Sequence, residues 1–283
     1  MLPAAARPPT APVFLLLGPA GSGKTSLVSL LQNKSLPSAS TNADPQPSPT
    51  HTSQTPRSVP LKLPPTIALG TNKYRSENDT SIIQQQKSSG TPYFIIDTPG
   101  HGKLRSTVSL TPTNTLHPSL YGVIFVIDSS ALDTSPTYLT DAATYLHSIL
   151  ITLLQRRRTK SKLSKLSRER HIPILLAANK QDLFTSLPAG TVKERLEKEI
   201  QRIRESRRRG VVGVDVDADG NFGANDDDEF EEMLETGERG FSFRALADEE
   251  GADLKVEALG GCVVGEEMGK GVRRWEEWIG MCL

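Results

Sequence analysis

Val13-Phe-Leu-Leu-Leu-Gly18-Pro-Ala-Gly-Ser-Gly-Lys24-Thr25 is the stretch of sequence that decides the fold. A short apolar run, typical of a buried strand, leads directly into a segment that fits the pattern G-x-x-x-x-G-K-[ST]. Glycines at these positions allow the backbone N–H groups to surround a phosphate, and the helix that follows presents its positive N-terminus to the same anion. The stretch therefore predicts a strand, a phosphate-binding loop and a helix, in that order.

The side chains of this loop have separate predicted roles. Lys24 is expected to reach the β- and γ-phosphates of a nucleotide, and the Thr25 hydroxyl is expected to ligate Mg²⁺. The remaining predicted contacts to the nucleotide come from the loop itself and from the start of the helix: Gly18, Gly21, Ser22, Gly23 and Ser26.

Three further apolar runs predict central strands covered on both faces. They are Tyr93–Asp97, Gly122–Asp128 and Ile172–Ala178. Helices are predicted at Ser26–Gln32, Thr137–Leu154, Val192–Arg208 and Lys270–Met281, and short strands at Val59–Leu63, Ile67–Leu69 and Lys255–Gly261. Strands that alternate with helices, together with the P-loop at Gly18–Thr25, predict an α/β fold with a mostly parallel central sheet and helices on both faces.

Two polar motifs follow predicted strands. In Asp97-Thr-Pro-Gly100, the carboxylate can hold Mg²⁺ through a water, and the Gly100 N–H can sense a γ-phosphate. In Asn179-Lys-Gln-Asp182, the Asp182 carboxylate can accept hydrogen bonds from guanine N1–H and the 2-amine, which adenine cannot offer. Asn179 is expected to join the guanine loop to the phosphate loop, and the Lys180 stem is expected to lie over the base. GTP and Mg²⁺ are therefore the predicted cofactors.

Length and composition fit one domain, residues 1–283. Lysine plus arginine number 33 and aspartate plus glutamate number 33, so the net charge does not predict binding to nucleic acid or to an anionic membrane. Two cysteines cannot form a disulfide framework, which favours a reducing compartment. No apolar run approaches the roughly 20 residues that a membrane-spanning helix needs, so no span is expected in this chain.

Three segments are predicted to be loops or insertions. Residues 33–58 are rich in serine, threonine and proline and are expected to form a flexible loop that contains the first switch. Residues 156–170 carry eight basic residues and one acid, and are predicted to be a basic loop. Residues 210–240 form an acidic, disordered insertion by the same reasoning. Within it, Asp215–Asp226 resembles an EF-hand loop, but it lacks the final bidentate glutamate.

The three motifs in this order are typical of small GTPases, and their details are similar to the beta-subunit family of signal recognition particle receptors. Asp97-Thr-Pro-Gly-His-Gly-Lys-Leu-Arg105 resembles that family's D-x-P-G-H-x-x-L-R segment. Pro49-Thr-His-Thr-Ser-Gln-Thr-Pro56 resembles its first switch, which implies Thr50 as a second Mg²⁺ ligand, chosen over Thr52 and Thr55. Val256–Val263 resembles its last strand and fifth motif, which implies base contacts at Cys262 and Val263, where serine and alanine are usual.

This resemblance implies a GTP-binding receptor subunit at the cytosolic face of the endoplasmic reticulum membrane. Its implied partner is the receptor alpha subunit, bound in the GTP state, and through it the translocon and the ribosome–nascent-chain complex. Membrane helices usually precede the GTPase domain in that family. Since only about a dozen residues precede the first strand here, we expect either a truncated form or attachment through partners.

His101 bears on the expected rate of GTP hydrolysis, because it stands where many small GTPases place a water-orienting glutamine. We expect slow intrinsic hydrolysis, with His101 as the candidate catalytic residue. One alternative is an Arf-like trafficking GTPase, against which Leu2 and His101 both argue. Another is a structural adaptor whose constitutively bound GTP only shapes a partner-binding surface.

Overall fold

The computed structural model describes residues 11–35, 53–70, 80, 90–105, 119–163, 172–208, 241–248, 254–265 and 269–283. Its strands are β1 (Val13–Leu17), β2 (Arg57–Leu63), β3 (Thr91–Asp97), β4 (Leu120–Asp128), β5 (Ile174–Asn179) and β6 (Val256–Gly260). The helices in these residues are α1 (Lys24–Ser35), α2 (Gly102–Leu104), α3 (Ala131–Thr134), α4 (Pro136–Leu163), α5 (Ala189–Arg208), α6 (Phe243–Asp248) and α7 (Val272–Cys282).

The six strands form one sheet in the order β2-β3-β1-β4-β5-β6, in which only β2 runs antiparallel to its neighbour. At the centre, Leu15 of β1 lies between Ile96 of β3 and Val123 of β4. Because β1, β3, β4 and β5 are parallel, their carboxyl ends meet at one edge of the sheet. That edge is where an open α/β sheet binds its ligand.

Helices cover both faces of the sheet. Alternate residues of β1 divide between two cores: Val13, Leu15 and Leu17 pack toward α4 and α5, while Phe14 and Leu16 pack toward α1 and α7. Trp275 and Trp278 of α7 fill the second core, and both are buried. The predicted α/β fold with helices on both faces of a mostly parallel sheet is confirmed.

The prediction of a basic loop at residues 156–170 is wrong in part. Helix α4 continues from the predicted stop at Leu154 through Leu163, so the first half of residues 156–170 is helix rather than loop. Arginine and lysine are good helix formers, and no glycine or proline interrupts the chain before Pro173. Residues 164–170 lie outside the described part of the chain.

Two other predictions, the strand at Ile67–Leu69 and the bounds of the 33–58 loop, differ from the structure. Ile67–Leu69 is not a strand: Pro64 and Pro65 end β2, and the Ile67 N–H donates to the Pro64 carbonyl across a turn (3.1 Å). In the predicted 33–58 loop, the first three residues complete α1 and the last two begin β2. Residues 36–52 and the acidic insertion at 210–240 lie outside the described residues.

Candidate nucleotide-binding site

The phosphate loop joins the end of β1 to the start of α1. Its glycines Gly18, Gly21 and Gly23 have φ angles of 140°, 74° and 94°, which side-chain-bearing residues rarely adopt. A Cβ on Gly18 would overlap the Val126 carbonyl oxygen. A Cβ on Gly23 would likewise overlap the Asn179 side-chain amide. The loop conformation therefore requires glycine at both positions.

Lys24 is held inside this loop. The residue is 6% exposed, and Nζ donates to the carbonyls of Gly18 and Pro19, each at 2.8 Å. Burial lowers the pKa of Lys24 to about 8; the Asp97 charge opposes this shift and the Arg105 charge adds to it. A phosphate bound beside the ammonium would stabilise its charged form, so the environment of Lys24 fits an anionic ligand. Ser22 is fully buried and donates through Oγ to the Pro19 carbonyl at 2.9 Å, while Ser26 is the third residue of α1.

Thr25 and Asp97 bring two oxygen groups together beside the loop. The Thr25 hydroxyl donates to Asp97 Oδ2 at 2.9 Å. Asp97 is 3% exposed, and its Oδ1 finds no hydrogen-bond partner among the described residues. Burial raises the pKa of Asp97, against the lowering effects of the Thr25 hydroxyl and the Lys24 charge. A buried carboxylate and a hydroxyl fit Mg²⁺, which uses few protein ligands and keeps several waters. Thr50, the other predicted ligand, lies outside the described residues.

The second switch, defined here as Asp97–Arg105, packs closely on the phosphate loop. Thr98 is buried, and its hydroxyl donates to the Leu16 carbonyl of β1 at 2.7 Å. A Cβ on Gly100 would lie 2.7 Å from the Pro19 carbonyl oxygen, so this backbone approaches the loop as only glycine can. His101 is exposed and makes no side-chain capping hydrogen bond to α2.

Asn179 joins the base side of the site to the phosphate side. Its Nδ2 donates to the Ser22 carbonyl at 2.8 Å, and its Oδ1 accepts from the Val263 N–H at 3.1 Å. The next residue, Lys180, has a left-handed φ of 63°, and its Nζ pairs with Asp128 Oδ2 at 2.5 Å. One asparagine thus holds three loops in register.

Asp182 faces the loop after β6. One of its carboxylate oxygens, Oδ1, is buried without a hydrogen-bond partner among the described residues, as expected of an atom that reads a base edge. Oδ2 lies against the Gly265 backbone, where a Cβ would overlap it. The Cys262 thiol is also adjacent, and its Sγ donates to the Val264 carbonyl at 3.2 Å. Burial, and then the neighbouring Asp182, raise the pKa of this thiol to about 12.

Two features of the site were not predicted. Arg105 donates to the Gly100 carbonyl and pairs with Asp141, a residue of α4 that no motif contains. Gln181, the variable position of Asn179–Asp182, donates to Ser129 Oγ at 2.9 Å and to the Leu187 carbonyl at 2.7 Å, which fixes the guanine loop to its flanks. The Gln181 contact had one signal in the sequence: Ser129 is a polar residue directly after a predicted strand, where side chains of a ligand site are expected.

The fold and the site together define a nucleotide-binding domain of the small GTPase class. Comparison with known proteins gives the particular family: residues 9–249 match the family model for the signal recognition particle receptor beta subunit, and the chain belongs to that family. None of the helices in the part of the chain that the structure describes is long and apolar enough to cross a membrane.

Individual relatives agree with this assignment. The signal recognition particle receptor subunit beta of Saccharomyces cerevisiae is 28% identical over 95% of this chain and 83% of its own length. The human subunit is 29% identical over 53% of this chain and 50% of its own length. A solved Chaetomium thermophilum receptor SRb-GTP/SRX complex is 33% identical, with a TM-score of 0.63, over 96% of this chain and 98% of that one. An SRb-GDP-Mg structure from the same organism is 30% identical with a TM-score of 0.59, over 97% of this chain and 100% of that one.

Proposed function

We propose that the chain binds GTP with Mg²⁺ as the beta subunit of a signal recognition particle receptor. The observation that carries this proposal is the meeting of three motifs at one edge of the sheet. Lys24 and Thr25 face Asp97, and Asn179 links the phosphate loop to the loop that holds Asp182. The solved relatives carry GTP and GDP with magnesium, which supports the predicted cofactors.

Each part of the site has a task in this proposal. Lys24, together with backbone N–H groups of Gly21, Gly23, Thr25 and Ser26, holds the phosphates. Thr25, Asp97 and Thr50 hold Mg²⁺, which neutralises phosphate charge when bound. Asp182, with Val263 and Cys262 behind it, reads guanine, and Asn179 and Lys180 shape the pocket. Gly100 reports the γ-phosphate to the second switch.

The partner in this proposal is the receptor alpha subunit, which the GTP-bound switches would contact. The related SRb-GTP was solved in complex with SRX, which supports a partner that recognises the GTP form. Through the alpha subunit, the protein would serve the translocon and ribosome–nascent-chain complexes at the cytosolic face of the endoplasmic reticulum. No direct contact with nucleic acid belongs to this function.

Slow intrinsic hydrolysis completes the proposal. His101 stands where many small GTPases place a water-orienting glutamine, and in the structure it is exposed, without a side-chain capping hydrogen bond to α2. A switch of this kind uses GTP to hold a conformation until a partner completes the site.

Affinity capture of the alpha subunit tests the function. The chain is loaded with GTP, a non-hydrolysable GTP analogue or GDP, and the recovered alpha subunit is quantified. We expect recovery with GTP and the analogue and little with GDP. Equal recovery in all three states would contradict the switch and favour the structural adaptor. A second measurement, single-turnover hydrolysis with and without the alpha subunit, separates a slow GTPase from an inert one.

A further inference from the structure

Arg105 is the last residue of the second switch, and each of its three guanidinium nitrogens donates a hydrogen bond. The residue is 8% exposed. Its Nε donates to the Gly100 carbonyl at 2.8 Å, and its two terminal nitrogens donate to Asp141 Oδ1 at 2.7 Å and Oδ2 at 2.6 Å. The guanidinium carbon also lies 4.5 Å from the centre of the Tyr145 ring. A bidentate, stacked arginine of this kind has a fixed position, which a lysine cannot reproduce.

Gly100 is thereby held on both sides. Arg105 binds its carbonyl from the α4 side, while Pro19 O and Ala20 N of the phosphate loop would lie 2.7 and 2.8 Å from a Cβ placed on it. Lys24 Nζ is close to the same point. The Arg105 hydrogen bond therefore fixes the position of the Gly100 backbone relative to the phosphate loop.

The residue that holds Arg105, Asp141, belongs to a helix that is itself tied to the end of β4. Asp141 lies in the first turns of α4, whose Tyr138 accepts a hydrogen bond from the Asp128 N–H at 3.0 Å. Asp128 in turn pairs with Lys180 of the guanine loop. The second switch and the guanine loop are thus fastened to the same helix. The positive charge of Arg105 also acts on Lys24, since it contributes to the lowered pKa of that lysine.

We propose that Arg105 is a positioning residue that holds Gly100 at the γ-phosphate and so sets the preference of this protein for GTP over GDP. The inference rests on the proposed function, because it requires a guanine-nucleotide site. GDP has no γ-phosphate and makes no use of this position, so its affinity depends little on Arg105. GTP loses its contact with the second switch when the Gly100 carbonyl is released.

Titration of fluorescent GTP-analogue and GDP probes in the presence of Mg²⁺ tests the proposal. For Arg105→Ala, we expect the ratio of the GDP to the GTP-analogue Kd to fall roughly tenfold, with the GDP Kd nearly unchanged. Arg105→Lys should give an intermediate ratio, because lysine keeps the positive charge but cannot bind both Asp141 oxygens in the bidentate manner of arginine. Asp141→Asn places an amide donor against the guanidinium and should lower the ratio in the same direction. Since the Asp141 side chain is 46% exposed, this variant folds even if Arg105→Ala does not.

The matched control is Arg195→Ala, which breaks a partly exposed arginine–aspartate pair of 2.7 Å between α5 and Asp133 of α3. The ratio of the GDP Kd to the GTP-analogue Kd should be the same in this variant as in the wild type. An equal loss of both nucleotides in the Arg105 variants would show a merely structural role and overturn the proposal, as would full restoration by lysine. A wild-type chain that binds neither probe would overturn the proposed function itself, a result distinct from binding with an unchanged ratio.

Discussion

Asn179 and Ser22, 157 residues apart in sequence, are joined by a hydrogen bond of 2.8 Å from the asparagine Nδ2 to the serine carbonyl. The same amide accepts from the Val263 N–H through Oδ1. Because Asn179 is 3% exposed, water cannot replace either bond. Phosphate binding and base binding therefore share one buried side chain.

Replacement of Asn179 by alanine should weaken GTP and GDP together. Two buried backbone groups, Ser22 O and Val263 N–H, would lose their partners, at about 1–3 kcal/mol each. We expect both Kd values to rise at least roughly tenfold, with a lower melting temperature. Asn179→Asp keeps the acceptor for the Val263 N–H, so its Kd values should lie between those of the wild type and those of the alanine variant. A selective loss of one nucleotide would contradict the shared role.

Replacement of Lys24 by alanine should reduce the affinity for GTP by roughly tenfold or more, since a charge-assisted contact contributes roughly 1.5–3 kcal/mol. The ammonium is buried beside the phosphate loop, where no water can take over its charge. Titration with a fluorescent GTP analogue measures the effect, and Lys62→Ala on the exposed side of β2 is the control. Unchanged affinity in Lys24→Ala would refute the phosphate site.

A methyl group on Gly100 should act on the triphosphate more than on the diphosphate. The new Cβ would lie nearest to Lys24 Nζ, then 2.7 Å from Pro19 O and 2.8 Å from Ala20 N, and the last two are backbone atoms rather than the end of a flexible side chain. The second switch must therefore shift, and we expect a larger rise in Kd for the GTP analogue than for GDP. Gly102→Ala, whose Cβ would meet no atom within 4 Å, should leave both values unchanged.

Deletion of Asp215–Glu235 should leave GTP affinity and the melting temperature nearly unchanged. The flanks of this acidic segment are held together without it, because the N–H groups of Phe241 and Phe243 donate to Gln201 and Glu197 of α5 at 2.9 and 2.8 Å. Thermal melting of the intact chain with added Ca²⁺ is the companion measurement. A calcium-dependent rise would instead support the EF-hand interpretation.

Contiguous patterns made most of the fold and the motif residues predictable. The strand at Tyr93–Asp97 and the loop at Gly18–Thr25 are encoded by neighbouring residues, so local sequence identifies them. The length of α4 was underestimated, since a polar, basic extension carries no apolar stripe to reveal a helix. Helices α2 and α6, with three and six residues, are too short for a hydrophobic period to be visible in the sequence.

The side-chain pairs of the site were harder to foresee. Arg105 meets Asp141 across 36 residues, and Lys180 meets Asp128 across 52. Such pairs depend on which strands become neighbours, which a single sequence indicates only through the fold. The link from Asn179 to the phosphate loop was expected from the motif, whereas its second bond to Val263 required the register of β5 and β6.

The preference for guanine is the most direct test of the GTP site, and Asp182→Asn is the variant that reverses it. Asp182 Oδ1 is buried without a partner among the described residues, so it stands ready to accept from guanine N1–H or the 2-amine. Asparagine places a donor against the 2-amine, which disfavours guanine. Xanthine has an oxygen there and can accept from the new amide.

Competition binding of GTP and xanthosine triphosphate to wild type and Asp182→Asn measures this directly, with the exposed Asp133→Asn as the control. We expect the variant to lose affinity for GTP and gain it for xanthosine triphosphate. The combined swing should amount to several kcal/mol, on the scale at which polar sites reject an analogue that leaves their groups unpaired. An order of preference that does not move toward xanthosine triphosphate would show that Asp182 does not contact the base edge and would contradict the GTP site.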